Sequence, residues 1–334
     1  MKKTVLAIAI SFVVLLGGCI NEAPAPDISE DEEVENLIVV GFSQVGAESE
    51  WRVANTENMK ATLCEENGYE LIFDDARNMQ ENQIRAIRTF IQQDVDYIVV
   101  SPRTETGWNS ILQEAKDAGI PVIVIDRDIV AEDRELYTAY VGADFRKEGE
   151  KAVRWLESTL EEQGRAEDPI RIVHIMGTLE SSAQIGRSGA LEEAARRNPN
   201  WEIVAQEDGD FTRAKASEVM DAILTQTLDI DVVYCENDGE ALGAIDAMKK
   251  VGLDCNVNGG VIVISFDATR LGLEYCLDGR IALNVECNPL QGPYVDAIIK
   301  KMENGEPIER KKYVAETQFD YSNITQDIID SRDY

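Results

Sequence analysis

The sequence predicts an α/β protein of two doubly wound lobes, each a parallel sheet covered by helices on both faces. Short runs rich in β-branched residues alternate with amphipathic stretches of helical spacing, the rhythm of a parallel sheet buried on both sides. That series restarts near residue 170, and a chain of 334 residues has room for two domains of about 150 each.

The first series opens with a strand over 37–42 and a helical segment over 49–66. Strands follow at 70–73, 97–100 and 122–125, separated by helices over 80–93 and 108–118. In the second of these helices Ile111, Leu112, Ala115 and Ala118 fall on one face. Gly119-Ile120-Pro121 then ends it and opens the next strand. The second series has strands at 171–175, 202–206, 231–234 and 261–266, followed in turn by helices over 182–196, 214–225, 240–251 and 269–277. From Ile281 come one more strand, a helix over 291–302 and an extended piece at 313–315. This leftover unit completes the first lobe only if the chain crosses back.

Ahead of the folded body, Met1-Lys2-Lys3, an apolar run from Val5 to Leu16 and the small-residue site Leu16-Gly17-Gly18-Cys19 make a secretory signal over 1–18. The run is too short to span a bilayer. Leu-Gly-Gly-Cys resembles the bacterial lipobox, which implies a diacylated Cys19 anchoring the protein to a membrane face. Residues 20–36 hold seven acids, two prolines and no basic residue. Residues 19–36 therefore read as a lipidated, self-repelling tether. Such a protein works outside the cytoplasm, in the periplasm or on the outer face of the cell membrane.

Sixty-three acids against 32 basic residues give a net charge of −31, which repels phosphate backbones and excludes unassisted nucleic-acid binding. A single histidine, His174, in a strand pattern, reads as a core residue and removes most metal-site and histidine-base chemistry. No metal and no cofactor are expected. After Cys19 the cysteines are Cys64, Cys235, Cys255, Cys276 and Cys287, with no C-x-x-C spacing. An odd number leaves at least one thiol unpaired in a monomer, and scattered buried thiols are expected for most of them.

In open α/β sheets ligands bind beyond the carboxyl ends of the strands. The residues there are Ser43 to Arg52, Asp126-Arg127-Asp128, Gly177-Thr178-Leu179, Asp210 to Arg213, Glu236-Asn237-Asp238 and Asp267. Neither G-x-G-x-x-G nor a Walker A sequence is present. Planar Asp, Asn and Arg groups engage vicinal hydroxyls two at a time, and aromatic faces pack the C–H side of a sugar ring. This mixture suits a neutral sugar.

VGFSQVGAESEWR (40–52), ENQIRAI (81–87), PVIVIDRD (121–128), IGRSGA (185–190), GDFTRAKASEVM (209–220) and ENDGEALGAIDAM (236–248) resemble, in order and spacing, the type I, ribose-binding class of periplasmic sugar-binding proteins. The opening segment and GDFTR look most like its galactofuranose-binding members. The resemblance implies two Rossmann-like lobes, 37–141 plus 289–316 and 142–288 plus 317–334, joined by a three-strand hinge with crossings near 141–144, 287–289 and 315–317. It implies that Asp126, Arg127, Arg187, Phe211, Asn237 and Asp267 hold the ligand, with Glu48, Trp51 and Arg52 completing the first-lobe wall. Phe211 takes the place of the aromatic that stacks on the ring. Two stretches depart from the pattern, Ala143-Asp144-Phe145 and Glu286-Cys287-Asn288-Pro289.

The resemblance also implies a monomeric, non-enzymatic binder that captures a monosaccharide, galactofuranose or a related pentose or hexose, and delivers it to ABC permease subunits. A sensory module feeding a chemoreceptor or sensor kinase, and a binder of a non-sugar solute such as a nucleoside, fit the same residues. An extracytoplasmic hydrolase would need a carboxylate pair such as Glu48 and Asp267.

Overall fold

The computed structural model describes residues 37–334. The signal, Cys19 and the tether lie outside the described residues. The first sheet is begun by β1 (Ile38–Gln44), β2 (Tyr69–Asp75), β3 (Tyr97–Val100), β4 (Val122–Asp126) and β5 (Ala139–Gly142). The second is begun by β6 (Ile170–Met176), β7 (Trp201–Asp208), β8 (Val232–Cys235), β9 (Ile262–Asp267) and β10 (Leu283–Glu286). β11 (Lys311–Tyr313) then joins the first and β12 (Gln318–Asp320) the second, giving the orders β11-β5-β4-β3-β1-β2 and β12-β10-β9-β8-β6-β7.

Every pairing within the sheets is parallel except β10 with β12, which is antiparallel with Leu283 opposite Asp320. The fully parallel expectation fails only at that edge, where the chain arrives from the neighbouring lobe. In each sheet the strand order reverses beside the first strand of its series, between β1 and β3 and between β6 and β8. A crevice for ligand opens at such a switch point.

The helices of the first series are α1 (Glu50–Thr62), α2 (Gln80–Gln92) and α3 (Asn109–Asp117). The second series has α4 (Phe145–Glu162), α5 (Ser182–Arg197), α6 (Arg213–Leu224), α7 (Asp238–Lys250) and α8 (Arg270–Leu277), and α9 (Gly292–Glu303) and α10 (Gln326–Asp330) follow. Apolar layers cover both faces of each sheet. In the first lobe Val100 and Val124 pack with Phe90 and Ile111, and on the other face Phe42 and Ile125 pack with Met59, Val295 and Ile299. The last two belong to α9, so the chain does cross back. It passes between sheets after β5, after β10 and after β11.

Four of these elements are not in the sequence expectation: β5, the 18-residue α4, and β12 and α10 after the last extended piece. The signal for α4 was there: Ala152, Val153, Leu156 and Leu160 form its buried stripe. Asp144 caps it, accepting from the Lys147 N–H at 3.2 Å, directly after the short strand.

His174 is fully buried with Nε2 3.0 Å from Glu236 Oε1, a core histidine. Among the described residues the five cysteines are free thiols, with Cys235, Cys276 and Cys287 buried and Cys64 and Cys255 half-buried. No helix of the described residues is long and apolar enough to cross a membrane.

Candidate ligand-binding site

Ser49 caps α1, its hydroxyl accepting from the Arg52 N–H at 3.2 Å, and this turn sends Glu48, Trp51 and Arg52 into the cleft. Asp126 ends β4 and Arg127 follows it. From the other lobe come Arg187 on α5, Phe211 before α6, Asn237 as the cap of α7, and Asp267 at the end of β9. The structure brings all nine to one chamber between the lobes, with about 300 Å³ of empty space.

Strain concentrates here. Asp126 (φ 60°), Phe211 (φ 58°) and Asp267 (φ 100°) hold left-handed backbone conformations without being glycine, at a cost of about 1–3 kcal/mol each. Their surroundings enforce them. The Tyr140 hydroxyl lies 2.6 Å from the Asp126 carbonyl and 3.0 Å from that of Ala143. Phe211 is held by its N–H to Glu240 (2.8 Å) and its carbonyl to the Asn237 amide (3.1 Å). Its ring occupies the space a Cβ on Gly177 would need, 2.0 Å away.

The charged groups divide into those already satisfied and those left open. Arg52 gives Nε to Glu48 (3.1 Å) and Nη1 to Asp126 (2.7 Å) and Ser101 (3.0 Å), and it stacks 4.7 Å from the Trp51 ring centroid. Burial opposes its charge, but Asp126 and Glu48 raise its pKa above the usual guanidinium value. Arg187 gives Nε to Glu148 at 2.7 Å and Nη1 to the Glu236 carbonyl, between the rings of Phe145 and Phe266. Both arginines frame the chamber while lining it, and Arg187 Nη2 stands 3.7 Å from Asp267.

Arg127 is different. It is buried, yet its nearest acceptors are the Arg103 carbonyl at 3.3 Å and Glu48 at 3.5 Å, and Asp126 is 3.9 Å away. Burial and the neighbouring Arg52 push its pKa down to about 10. Burial also works against ionisation of Glu48, but Arg52 and then Arg127 hold its carboxyl below the ordinary value. Glu48 Oε2 has no partner. Burial raises the Asp267 carboxyl well above its usual range against the pull of Arg187, 3.7 Å distant. The chamber thus presents an underused guanidinium and two carboxyl groups with open positions, the complement of a polyhydroxylated neutral molecule.

Ser49, within the Ser43 to Arg52 stretch placed at the strand ends, also lines the chamber, as do Phe145, Ala183 and Cys287, which sequence reasoning did not place there. Trp51, Ala143, Phe145, Ala183, Phe211 and Cys287 form one apolar cluster spanning both lobes and the hinge. The Trp51 indole N–H donates to the Cys287 carbonyl at 2.6 Å. The signal for Phe145 and Cys287 was their departure from the family pattern, since both stand where the chain crosses between lobes. Asn237 proves to be both cap and wall: its side-chain oxygen accepts from the Glu240 N–H at 2.8 Å.

Residues 40–292 match the periplasmic binding protein domain family. The chain belongs to the periplasmic binding proteins. Membership makes it an extracytoplasmic solute binder associated with ABC transport, not an enzyme. The galactofuranose-binding protein YtfQ of Escherichia coli (strain K12) is 38% identical over 272 residues, 80% of this chain and 83% of the relative. A Mycobacterium smegmatis protein solved in complex with β-D-fucofuranose is 42% identical with a TM-score of 0.80, over 85% of this chain and 92% of that one. The binding component of the arabinose ABC transporter of Shewanella sp. ANA-3, solved with α- and β-L-arabinofuranose, is 35% identical with a TM-score of 0.80, over 88% and 95%.

Proposed function

We propose that this periplasmic binding protein captures a monosaccharide in its furanose form, galactofuranose or a related pentose or hexose, and delivers it to an ABC permease. The observation that carries the reading is the convergence of Glu48, Trp51, Arg52, Asp126 and Arg127 from one lobe with Arg187, Phe211, Asn237 and Asp267 from the other on one small chamber. The likeness to proteins solved with furanose sugars supports the ring form. The lobes 37–141 plus 289–316 and 142–288 plus 317–334 close on the ligand as units, the protein is a monomer, and a lipid on Cys19 after removal of residues 1–18 tethers it to the membrane. Ligand touches both lobes only when they are closed, so it favours closure by its differential affinity.

Calorimetry on the purified protein, unfolded and refolded to strip carried ligand, tests this with galactose, arabinose, ribose, xylose and glucose. One sugar binds tightly at one per chain, and Arg127→Ala abolishes the heat while the far-UV spectrum is unchanged. Silence across the panel from folded protein points to a non-sugar solute such as a nucleoside. Wild-type affinity in Arg127→Ala sinks the site assignment.

A further inference from the structure

The closed cleft is sealed on one side and open on the other. On one rim the lobes bond directly. The Asn78 amide donates to Asp210 at 3.3 Å, the Glu105 N–H to the Glu180 carbonyl at 2.9 Å, and the Asp128 N–H to the Ser182 hydroxyl at 2.8 Å. On the other rim a second chamber with about 530 Å³ of empty space adjoins the first. The two share Glu48, Ser49, Trp51, Phe211 and Asp267 as common wall. Beyond them Gly239, Leu242, Thr269 and Leu271 line the second chamber. Glu50 and Leu271 continue from it into a surface groove between α1 and α8. The two chambers and the groove are thus linked in series through shared lining residues, none of which takes part in the rim bonds.

We propose that the second chamber is a subsite for a glycosidic substituent, so that the protein takes short furanosyl disaccharides as well as the free sugar. The walls say what enters. Trp51 and Phe211, common to both chambers, offer aromatic surface, Leu242 and Leu271 offer apolar surface, and the Ser49 hydroxyl keeps its proton to donate, since it accepts the Arg52 N–H. That is the mixture a second sugar ring needs. Glu48, Glu50 and Asp267 face the same space, and Arg213, the chamber's guanidinium, is engaged by Asp246 at 2.6 Å. A phosphate or nucleotide substituent meets carboxylates rather than a free cation and is excluded. A glycoside has a further advantage. A free reducing sugar binds a furanose site with its affinity scaled by its furanose fraction, whereas a glycosidic unit is locked in that ring.

The proposal rests on the furanose reading of the inner chamber, and its test separates the two. The probes are L-arabinose with α-1,5-L-arabinobiose, and D-galactose with β-1,5-linked digalactofuranose. Each disaccharide carries one unit substituted at C1 and one at O5, so either orientation in the inner chamber is sampled. In calorimetry the disaccharide of the recognised sugar binds within about tenfold of the free sugar or more tightly. Gly239→Trp fills the second chamber. A Cβ at 239 meets its nearest neighbours at 3.4 Å, an ordinary contact, so the backbone accepts it. That variant weakens the disaccharide by about tenfold or more and leaves the free sugar within about twofold. Leu271→Trp, half-buried on the α8 part of the wall, gives the same pattern if Gly239→Trp fails to fold. A free sugar that binds while its disaccharide is silent overturns the subsite and spares the furanose reading. So does equal weakening of both ligands, or of neither, by a folded variant. Silence from free sugars and disaccharides together overturns both.

Discussion

Glu316 lies on the segment joining β11 to β12, where its Oε1 accepts the backbone N–H of Asn288 at 3.0 Å. The side chains of Glu148 and Cys287 close around it, their ligating atoms all within 4.8 Å of one another. Glu148 Oε1 has no donor. A proton on Glu316 supplies one, and burial together with the Glu148 charge pushes the Glu316 pKa up to about 9. The sign of the consequence is set by linkage. The folded state holds a proton that the unfolded chain releases near the ordinary carboxylate value. Stability is therefore full at low pH and is lost as pH rises toward about 9, by at most about 1.4 kcal/mol per unit for one proton. Glu316→Gln places a neutral amide in the same geometry, able to donate to Glu148 at any pH. Urea midpoints across pH 5–9 should match wild type at the acid end and exceed it at the alkaline end. Parallel curves for the two proteins would show that this carboxyl holds no proton.

At the scale of elements, the start of α7 joins two functions in one residue. Asn237 caps the helix and, through its amide on the Phe211 carbonyl, fixes a left-handed aromatic in the chamber wall. Asn237→Ala removes both and costs about 1 kcal/mol of stability. Asn237→Ser restores a competent cap but no donor that reaches Phe211. The expected pattern is recovery of the urea midpoint in the serine variant with sugar affinity still reduced about tenfold. If both variants bind sugar like wild type, Asn237 is a cap alone. The same distinction marks what the sequence could disclose. Strand ends are legible because β-branched runs stop at turn residues, so Asp126, Asn237 and Asp267 could be placed at the mouth of a sheet before any coordinates. Phe145 could not be placed by that rule, because it starts a helix that follows β5 with barely a loop between them, and only its departure from the family pattern marked it. Nor could the near-isolation of Arg127, which depends on Arg52 having claimed the carboxylates first. Which acid pairs with which arginine is decided by tertiary packing.

For the whole molecule, the balance between open and closed lobes depends on bonds that involve no ligand. The Asn78–Asp210 and Asp128–Ser182 contacts and the packing of Arg127 on Phe211, 5.1 Å to the ring centroid, all join one lobe to the other. Each hydrogen bond contributes about 0.5–1.5 kcal/mol to closure, and any free energy that closure already has need not come from the sugar. Apparent affinity therefore scales with the closed fraction. Ser182 is the first helical residue of α5 while Ser181 is its cap, so Ser182→Ala cuts the latch without uncapping the helix. Combined with Asn78→Ala it removes two latches at side chains that are not themselves among the nine chamber residues. The double variant should weaken sugar binding by roughly five- to fiftyfold, about 1–2.3 kcal/mol. Solution scattering should show a larger radius for the ligand-free variant than for ligand-free wild type, and the same radius for both at saturating sugar. Unchanged affinity and unchanged ligand-free dimensions would mean that the rim bonds form only as bystanders to closure and that the sugar alone draws the lobes together.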